Sequence, residues 1–409
     1  MNRALSAFLL LLAACDPGPA APLPAVDPSL RAKVELSTGW TFKTEPVFER
    51  IDRRQLLARL EAKLDGAPGE RMAATGRALQ TLGLLPRGYD LVASLKRMYT
   101  QEILALYDLK ERKVFLVREA LEKPPTAEDL QLQQAGKLTM REVTIAHEMV
   151  HALQHQHDPL FDLLEGLEPD LDDVRGALHA LAEGEATIHM YALVGLRDAA
   201  PIARSIEADG ASKFPGEPDL LRRVLFFPYA AGTRFAGARA QNGPALHAAP
   251  PLSTEQILHP ERKDPPVAIL LPDLSREVGG GRALATQAVM GEAFLAPALG
   301  PVSLGGGFDD PSLGWGGDRL HLYEKSGADP VVVIVTRWDT PAAAAEARLR
   351  AGRKEGWVCL HADLQVAIVV GLPVEEGKRI AQVALERAVA KPFGSVEELR
   401  AILKGEKPR

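Results

Sequence analysis

Apolar residues recur with helical spacing over residues 56–64 and again over 72–82, which predicts two amphipathic helices. The rhythm changes between Glu102 and Val117. Ile103, Leu104, Leu106 and Tyr107 precede a polar stretch, Asp108-Leu109-Lys110-Glu111-Arg112, and Val114-Phe115-Leu116-Val117 follow it. Two apolar runs around a short polar link predict a β-hairpin. Residues 122–136 are polar and carry prolines, and predict a loop. Over residues 138–156 the helical period returns strongly. Ile145, Ala146, Met149, Val150 and Leu153 share one face, and Thr144, His147, His151 and Gln154 share the opposite one. Helices are also predicted over 172–196 and 220–239.

Glycine and proline become dense over 296–317, which predicts long loops or a domain boundary. Beyond it, 319–323, 331–335 and 366–370 read as strands. Residues 341–350 read as an alanine-rich helix with Pro341 at its first position, and 375–389 as another helix. Strands and helices mix without a regular βαβ rhythm, so the expected class is α+β. The composition is that of a globular chain: 409 residues, 46% hydrophobic and 25% charged, which excludes wholesale disorder. The length allows about two to three domains, or one large domain with insertions. Two cysteines, Cys15 and Cys359, exclude a disulfide framework and a cysteine-built zinc site. Cys359 lies in the strand-like run Trp357-Val358-Cys359-Leu360 and is expected to be buried rather than reactive. A net charge of −6 spread along the chain gives no support for nucleic-acid binding.

The first residues, MNRALSAFLLLLAAC, place Arg3 before a short apolar run that is too brief to span a bilayer. Small residues leading into Cys15 resemble a bacterial lipobox. That resemblance implies removal of residues 1–14 as a signal peptide and a lipidated Cys15 that anchors an exported protein to the cell envelope. Residues 15–28, rich in Pro and Ala, then read as a tether.

Chemistry is carried by His147-Glu148-Met149-Val150-His151. Histidines at i and i+4 lie one above the other on a helix and can fill two corners of a zinc tetrahedron. Glu148 lies about 100° around the helix, yet its side chain is long enough to serve a metal-bound water as general base. A catalytic zinc needs a third protein ligand, and His179, Glu183, Glu185 and His189 are the downstream candidates.

The segment Ala182-Glu-Gly-Glu-Ala186 resembles the E-G-x-A element of the glutamate-ligand zincins, the gluzincins, and implies Glu183 as the third ligand. Small Gly184 and Ala186 would let two helices approach closely there. Glu185, about 200° away on the helix, cannot face the same ion. His179, one turn earlier, is the rival ligand. Further segments occur in family order: His147-Glu-Met-Val-His-Ala-Leu-Gln154, Phe227-Pro-Tyr-Ala-Ala-Gly232, Pro251-Leu-Ser-Thr-Glu-Gln-Ile-Leu-His-Pro260, Gly314-Trp-Gly-Gly-Asp-Arg319 and Trp338-Asp-Thr-Pro341. Together they resemble secreted or lipoprotein H-E-x-x-H metallopeptidases of bacteria and archaea over roughly residues 83–347. His155 departs from the acidic residue that this resemblance implies, and is expected to be solvated.

Tyr229 sits in an aromatic, proline-bearing segment that reads as a turn. Its hydroxyl could stabilise an oxyanion or make a structural hydrogen bond. His259 follows a Ser253/Thr254 helix start and reads as a C-terminal cap or as a second donor. Asp318 and Arg319 are expected to pair structurally. The sequence therefore predicts a zincin-like metallopeptidase domain with a mainly helical active-site region over 29–272, and an α+β region over 273–409. The expected activity is that of a Zn²⁺-dependent hydrolase of the cell envelope, most simply a peptidase, with His147, His151 and Glu183 on the metal and Glu148 as base. Its partners would be a protein or peptide substrate and, through Cys15, a membrane. The alternative is a non-catalytic envelope lipoprotein that uses the same fold for binding or scaffolding.

Overall fold

The computed structural model describes residues 28–168, 171–239, 247, 249–300 and 314–405. The expected signal peptide, Cys15 and the tether as far as residue 27 lie outside the described residues, as do residues 301–313 of the Gly- and Pro-dense stretch.

The chain opens with α1 (Pro28–Thr38), β1 (Val47–Ile51), α2 (Arg53–Lys63), α3 (Ala67–Thr81) and α4 (Leu91–Glu102). β2 (Ala105–Asp108) and β3 (Lys113–Val117) form the antiparallel pair that the two apolar runs predict, with Tyr107 opposite Val114. β1 adds parallel to β3, so the sheet order is β1-β3-β2 and β2 is an edge strand. After the short α5 (Arg118–Leu121), the expected loop contains a helix, α6 (Ala127–Gln134). Thr126 and Asp129 start it with reciprocal side-chain and backbone bonds. A helix started by its cap leaves little apolar period to read.

α7 (Met140–His157) carries the HExxH segment, and a reciprocal Thr139–Glu142 cap starts it. Its predicted apolar face is buried, and so are His147, His151 and Gln154 of its polar face, with Thr144 half-buried: Val143 and every residue from Ile145 to His155 are inside. α8 (Leu160–Glu165), α9 (Asp172–Ala192), α10 (Ala199–Ser212) and α11 (Asp219–Arg239) complete the helical layer. The proline-bearing segment expected to turn at Tyr229 is helical instead, with Pro228 inside α11. An interior proline costs a helix about 3 kcal/mol. Continuous burial from Leu225 to Thr233, mainly against α9 and α10, offsets that cost. α9 and α11 touch backbone to backbone. A Cβ on Gly184 would lie 2.0 Å from the carbonyl carbon of Gly232, and a Cβ on Gly232 would lie 2.0 Å from the Ala180 oxygen.

The remaining elements are α12 (Thr254–Leu258), β4 (Val267–Leu270), α13 (Ser275–Val278), β5 (Ala283–Ala288), α14 (Glu292–Leu299), β6 (Trp315–Glu324), β7 (Val331–Trp338), α15 (Pro341–Ala351), β8 (Trp357–Ala362), β9 (Gln365–Val370), α16 (Val374–Arg387), β10 (Val389–Pro392) and α17 (Val396–Leu403). An antiparallel sheet runs β5-β6-β7-β9-β8. Strand side chains alternate between two cores. Leu320, Leu322, Val332, Ile334, Val366 and Ile368 pack with the alanines of α15, while Val331, Val333, Val335, Ala367 and Val369 pack with Ile380 and Ala384 of α16. The class is α+β. Cys359 on β8 is a half-buried free thiol whose pKa burial pushes up to about 12.

The two expected regions exchange elements. Ala74 and Ala78 of α3 belong to the core of the five-stranded sheet, while Phe393, Val396, Leu399 and Ile402 close the core of the helical layer. Buried carboxylates pin the junction. Asp173 of α9 accepts from the N–H and hydroxyl of Thr254 at 3.1 and 2.6 Å. Asp318 of β6 accepts from the N–H groups of Met290 and Gly291, both at 2.8 Å, and from the Trp315 indole at 3.2 Å. Arg319 donates to the Ile269 carbonyl at 3.2 Å. Gly291 has φ 70°, and a Cβ there would lie 1.9 Å from an Asp173 oxygen.

Two outcomes follow from this packing. Gly184→Ala forces α9 and α11 apart and should cost about 3 kcal/mol or more, since overpacking here meets backbone. Gly216→Ala, with nothing within 4 Å of the new methyl, should stay within about 0.5 kcal/mol in the same chemical denaturation series. Burial pushes the Asp173 carboxyl up to about 7, with the Asp318 and Glu292 charges adding to the effect. Its contribution to stability is therefore complete below about pH 4 and is lost as the pH rises through about 7. Asp173→Asn keeps the acceptor for Thr254 and removes the titration. The melting temperature of the variant relative to the parent should be higher at pH 8 than at pH 5.

Candidate metal centre

α7 and α9 pack side by side and bring the two informative segments together. His147 and His151 project from successive turns of α7, and Glu183 projects from the middle of α9 toward them. His147 Nε2 lies 3.0 Å from Glu183 Oε2, His151 Nε2 lies 3.4 Å from the same oxygen, and the two Nε2 atoms are 3.0 Å apart. Zinc bonds of about 2.0–2.1 Å give a tetrahedron with edges of about 3.3 Å, so these three atoms fit one face of a zinc site.

The protonation pattern also fits a cation. Burial opposes ionisation of Glu183, but His151, His147 and His179 together hold its carboxyl well below the usual range. Burial lowers the pKa of His147. An ionised carboxylate beside neutral imidazole is the donor set that a divalent metal requires.

Glu148 is buried beside this cluster. Its Oε2 accepts from the backbone N–H of Tyr107 at 2.6 Å, so the edge strand β2 spends an otherwise unpaired donor on this side chain. Its Oε1 finds no hydrogen-bond partner among the described residues. Burial, reinforced by the Glu183 charge, raises the Glu148 pKa well above the ordinary value, which favours a proton on this group. Tyr229 comes from α11. Its ring lies 6.3 Å from that of His147, and burial with the Glu183 and Glu148 charges raises its pKa. Tyr99 of α4 is half-buried nearby, and desolvation and the Glu183 charge raise its pKa too.

The other candidates lie elsewhere. His179 Nε2 is 3.2 Å from Glu183 Oε1, on the side of the carboxylate away from the α7 histidines, and does not complete the triangle. Glu185 turns to Gln154 and His247. His189 meets the Ser37 hydroxyl at 3.1 Å. His155, expected to be solvated, is buried: Tyr107 OH lies 3.0 Å from its Nδ1 and Asp162 lies 3.2 Å from its Nε2. Burial is possible here because both ring nitrogens are satisfied. His259 caps the C-terminus of α12 and sits 3.1 Å from Glu292.

Sequence reasoning missed Tyr99, the Tyr107 N–H and His247. Each arrives from a distant part of the chain, and no local spacing marks it. A second group of carboxylates, Glu255, Asp264 and Asp339, also converges. The Arg262 guanidinium already lies 2.5 Å from Glu255 and 3.2 Å from Asp339, so a cation fills that group from within the chain.

Residues 281–354 match the model of a family described as a domain of unknown function, DUF8575. The matched stretch runs from β5 into the last residues before β8 and contains none of His147, Glu148, His151 or Glu183. No curated protein and no solved structure matches the chain.

The geometry predicts which carboxylates hold metal. Purified chain titrated with Zn²⁺ against a chromophoric chelator should take up one tightly bound equivalent. Glu183→Ala should abolish that uptake, and Asp264→Asn should leave it unchanged.

Proposed function

We propose that this chain is a zinc-dependent metallohydrolase with a zincin-like core, most simply a peptidase. It would be held at the bacterial cell envelope by a lipidated Cys15. The observation that carries the reading is the convergence of His147 Nε2, His151 Nε2 and Glu183 Oε2 within 3.0–3.4 Å of one another, with the Glu148 carboxyl beside them. A purely structural site has no need of that carboxyl.

Bound Zn²⁺ would supply Lewis acidity and depress the pKa of water toward about 7. The chain supplies the rest. His147, His151 and Glu183 would hold the cation. Burial and the Glu183 charge favour a proton on Glu148, and a bound dication would offset them. Once ionised, Glu148, fixed through one oxygen by the Tyr107 N–H, would take a proton from the attacking water on its other oxygen and pass it to the departing amine. Tyr229, whose ring lies 6.3 Å from that of His147, would donate its hydroxyl to a developing oxyanion.

One observation favours a second reading. His147 and Glu148 are 1% exposed, and His151 and Glu183 are 0% exposed. Hydrolysis of a peptide at this centre requires the surrounding chain to open. A protein that keeps the centre closed would use the metal to hold its helices together and would act as a binding or scaffolding lipoprotein.

Glu148→Gln separates the two. In the peptidase reading, zinc-loaded wild-type protein cleaves an unstructured peptide library. The variant keeps its zinc and loses at least about 100-fold in rate, the scale of a lost general base. Zinc-loaded wild-type protein that cleaves nothing, with a variant that behaves identically, establishes the scaffold.

A further inference from the structure

Behind His151, on the side away from Glu183, lies a chain of polar groups that a bare ligand set does not call for. The Gln154 Oε1 atom is 2.7 Å from His151 Nδ1. The Gln154 amide nitrogen donates to Glu185 Oε2 at 2.6 Å and to the Ala182 carbonyl at 3.1 Å. His247 Nε2 lies 2.8 Å from the same Glu185 oxygen, and His247 Nδ1 lies 3.3 Å from Asp158. Gln154 is fully buried, so water does not compete for these bonds.

We infer that Gln154, held by Glu185 and His247, is a positioning residue that fixes the tautomer of His151 and thereby sets the affinity of the proposed metal centre. The inference rests on the metal reading above and extends it to a group that touches no metal.

The argument is one of donors and acceptors. A glutamine amide can be turned either way, with its nitrogen or its oxygen toward His151. Here the far end of the amide faces a carboxylate and a backbone carbonyl, both of which only accept. The nitrogen must therefore point at Glu185 and Ala182, and the oxygen at His151. An amide oxygen only accepts, so His151 must carry its proton on Nδ1. A neutral imidazole protonated on Nδ1 keeps its lone pair on Nε2, the atom that lies 3.4 Å from Glu183 Oε2 and 3.0 Å from His147 Nε2. The polarity of the whole chain thus propagates from Glu185 to the lone pair that a metal would use. His147 has no such support: its Nδ1 is buried without a hydrogen-bond partner among the described residues. The rigidity of the pair of imidazoles therefore comes through His151. Outer partners of this kind are worth about 10- to 100-fold in metal affinity.

The experiment uses the full chain and Zn²⁺ alone. Gln154→Leu removes the acceptor and should weaken Zn²⁺ binding about 10- to 100-fold in chelator competition. The double variant Gln154→Glu/Glu185→Gln reverses the polarity between the two side chains yet still offers His151 an acceptor. It should bind Zn²⁺ more tightly than Gln154→Leu but less tightly than wild type, because His151 regains an acceptor while the Ala182 carbonyl loses its donor; a merely space-filling role would produce no such recovery. The tautomer is read directly in zinc-loaded wild-type protein labelled with ¹⁵N-histidine, where His151 should show a protonated Nδ1 and a metal-bound Nε2. This measurement stands if Gln154→Leu does not fold. A wild-type chain that binds zinc through Nδ1 of His151, or with that Nδ1 unprotonated, overturns the inference and leaves the metal reading intact, as does Gln154→Leu at wild-type affinity. A wild-type chain that takes up no zinc overturns the metal reading, and the inference with it.

Discussion

The structure turns on one buried carboxylate. Glu183 sits at the centre of a helical layer with no exposure, where an unpaired charge would cost several kcal/mol even after relaxation. Its position is tolerable because three imidazoles from two helices surround it: His147 and His151 on one oxygen, His179 on the other. Those contacts require α7 and α9 to be adjacent in one register. They also explain why the polar face of α7 is inside the protein. A stripe that reads as solvent-facing becomes the interior seam between two helices once it meets a complementary charge.

The same demand for proximity shapes the next layer. Glu183 is followed by Gly184, and at that point the backbone of α9 rests on Gly232 of α11. The contact brings Tyr229, three residues before Gly232, to the His147 ring. It also gives a reason for α11 to continue through Pro228 where a break would be expected, since a break would remove the surface on which α9 lies. Around these helices the edge strand β2 and the side chain of Gln154 complete the enclosure with directional bonds to Glu148 and His151. The result is a set of buried titratable groups enclosed by the chain. Electrostatic interactions are strong in such a place, and a bulky reactant reaches it only through movement of the surrounding chain.

The C-terminal sheet is joined to this layer by exchange of elements and not by a linker. α3 contributes to the sheet's core and α17 to the core of the helices. Asp173 and Asp318 meet the 290–291 turn from opposite sides, with Gly291 as the only residue type that leaves room. The sheet and α9 are therefore joined through buried, directional bonds. The stretch that matches a known family model runs through this turn and contains none of the α7 and α9 side chains described above.

Much of this was legible in the residues alone. Periodicity located α7, α9, α11, the hairpin and the inner strands of the C-terminal sheet, because burial on one side writes a period into a chain. The i, i+4 spacing of His147 and His151 placed two imidazoles on one face, because helix geometry is local. Other features had no local cause. α6 is started by a cap, and α11 continues through Pro228 because of what packs on it. His155 is buried because Tyr107 and Asp162 satisfy both its nitrogens. Tyr107, Gln154 and His247 take their roles from distant partners: the Gln154–Glu185, Tyr107–Glu148 and Glu185–His247 bonds span 31, 41 and 62 positions. Sequence determined which side chains share a helical face. Only the tertiary structure decided which of them face one another across helices, since hydrogen bonds and charge pairing act through space and leave no period along the chain.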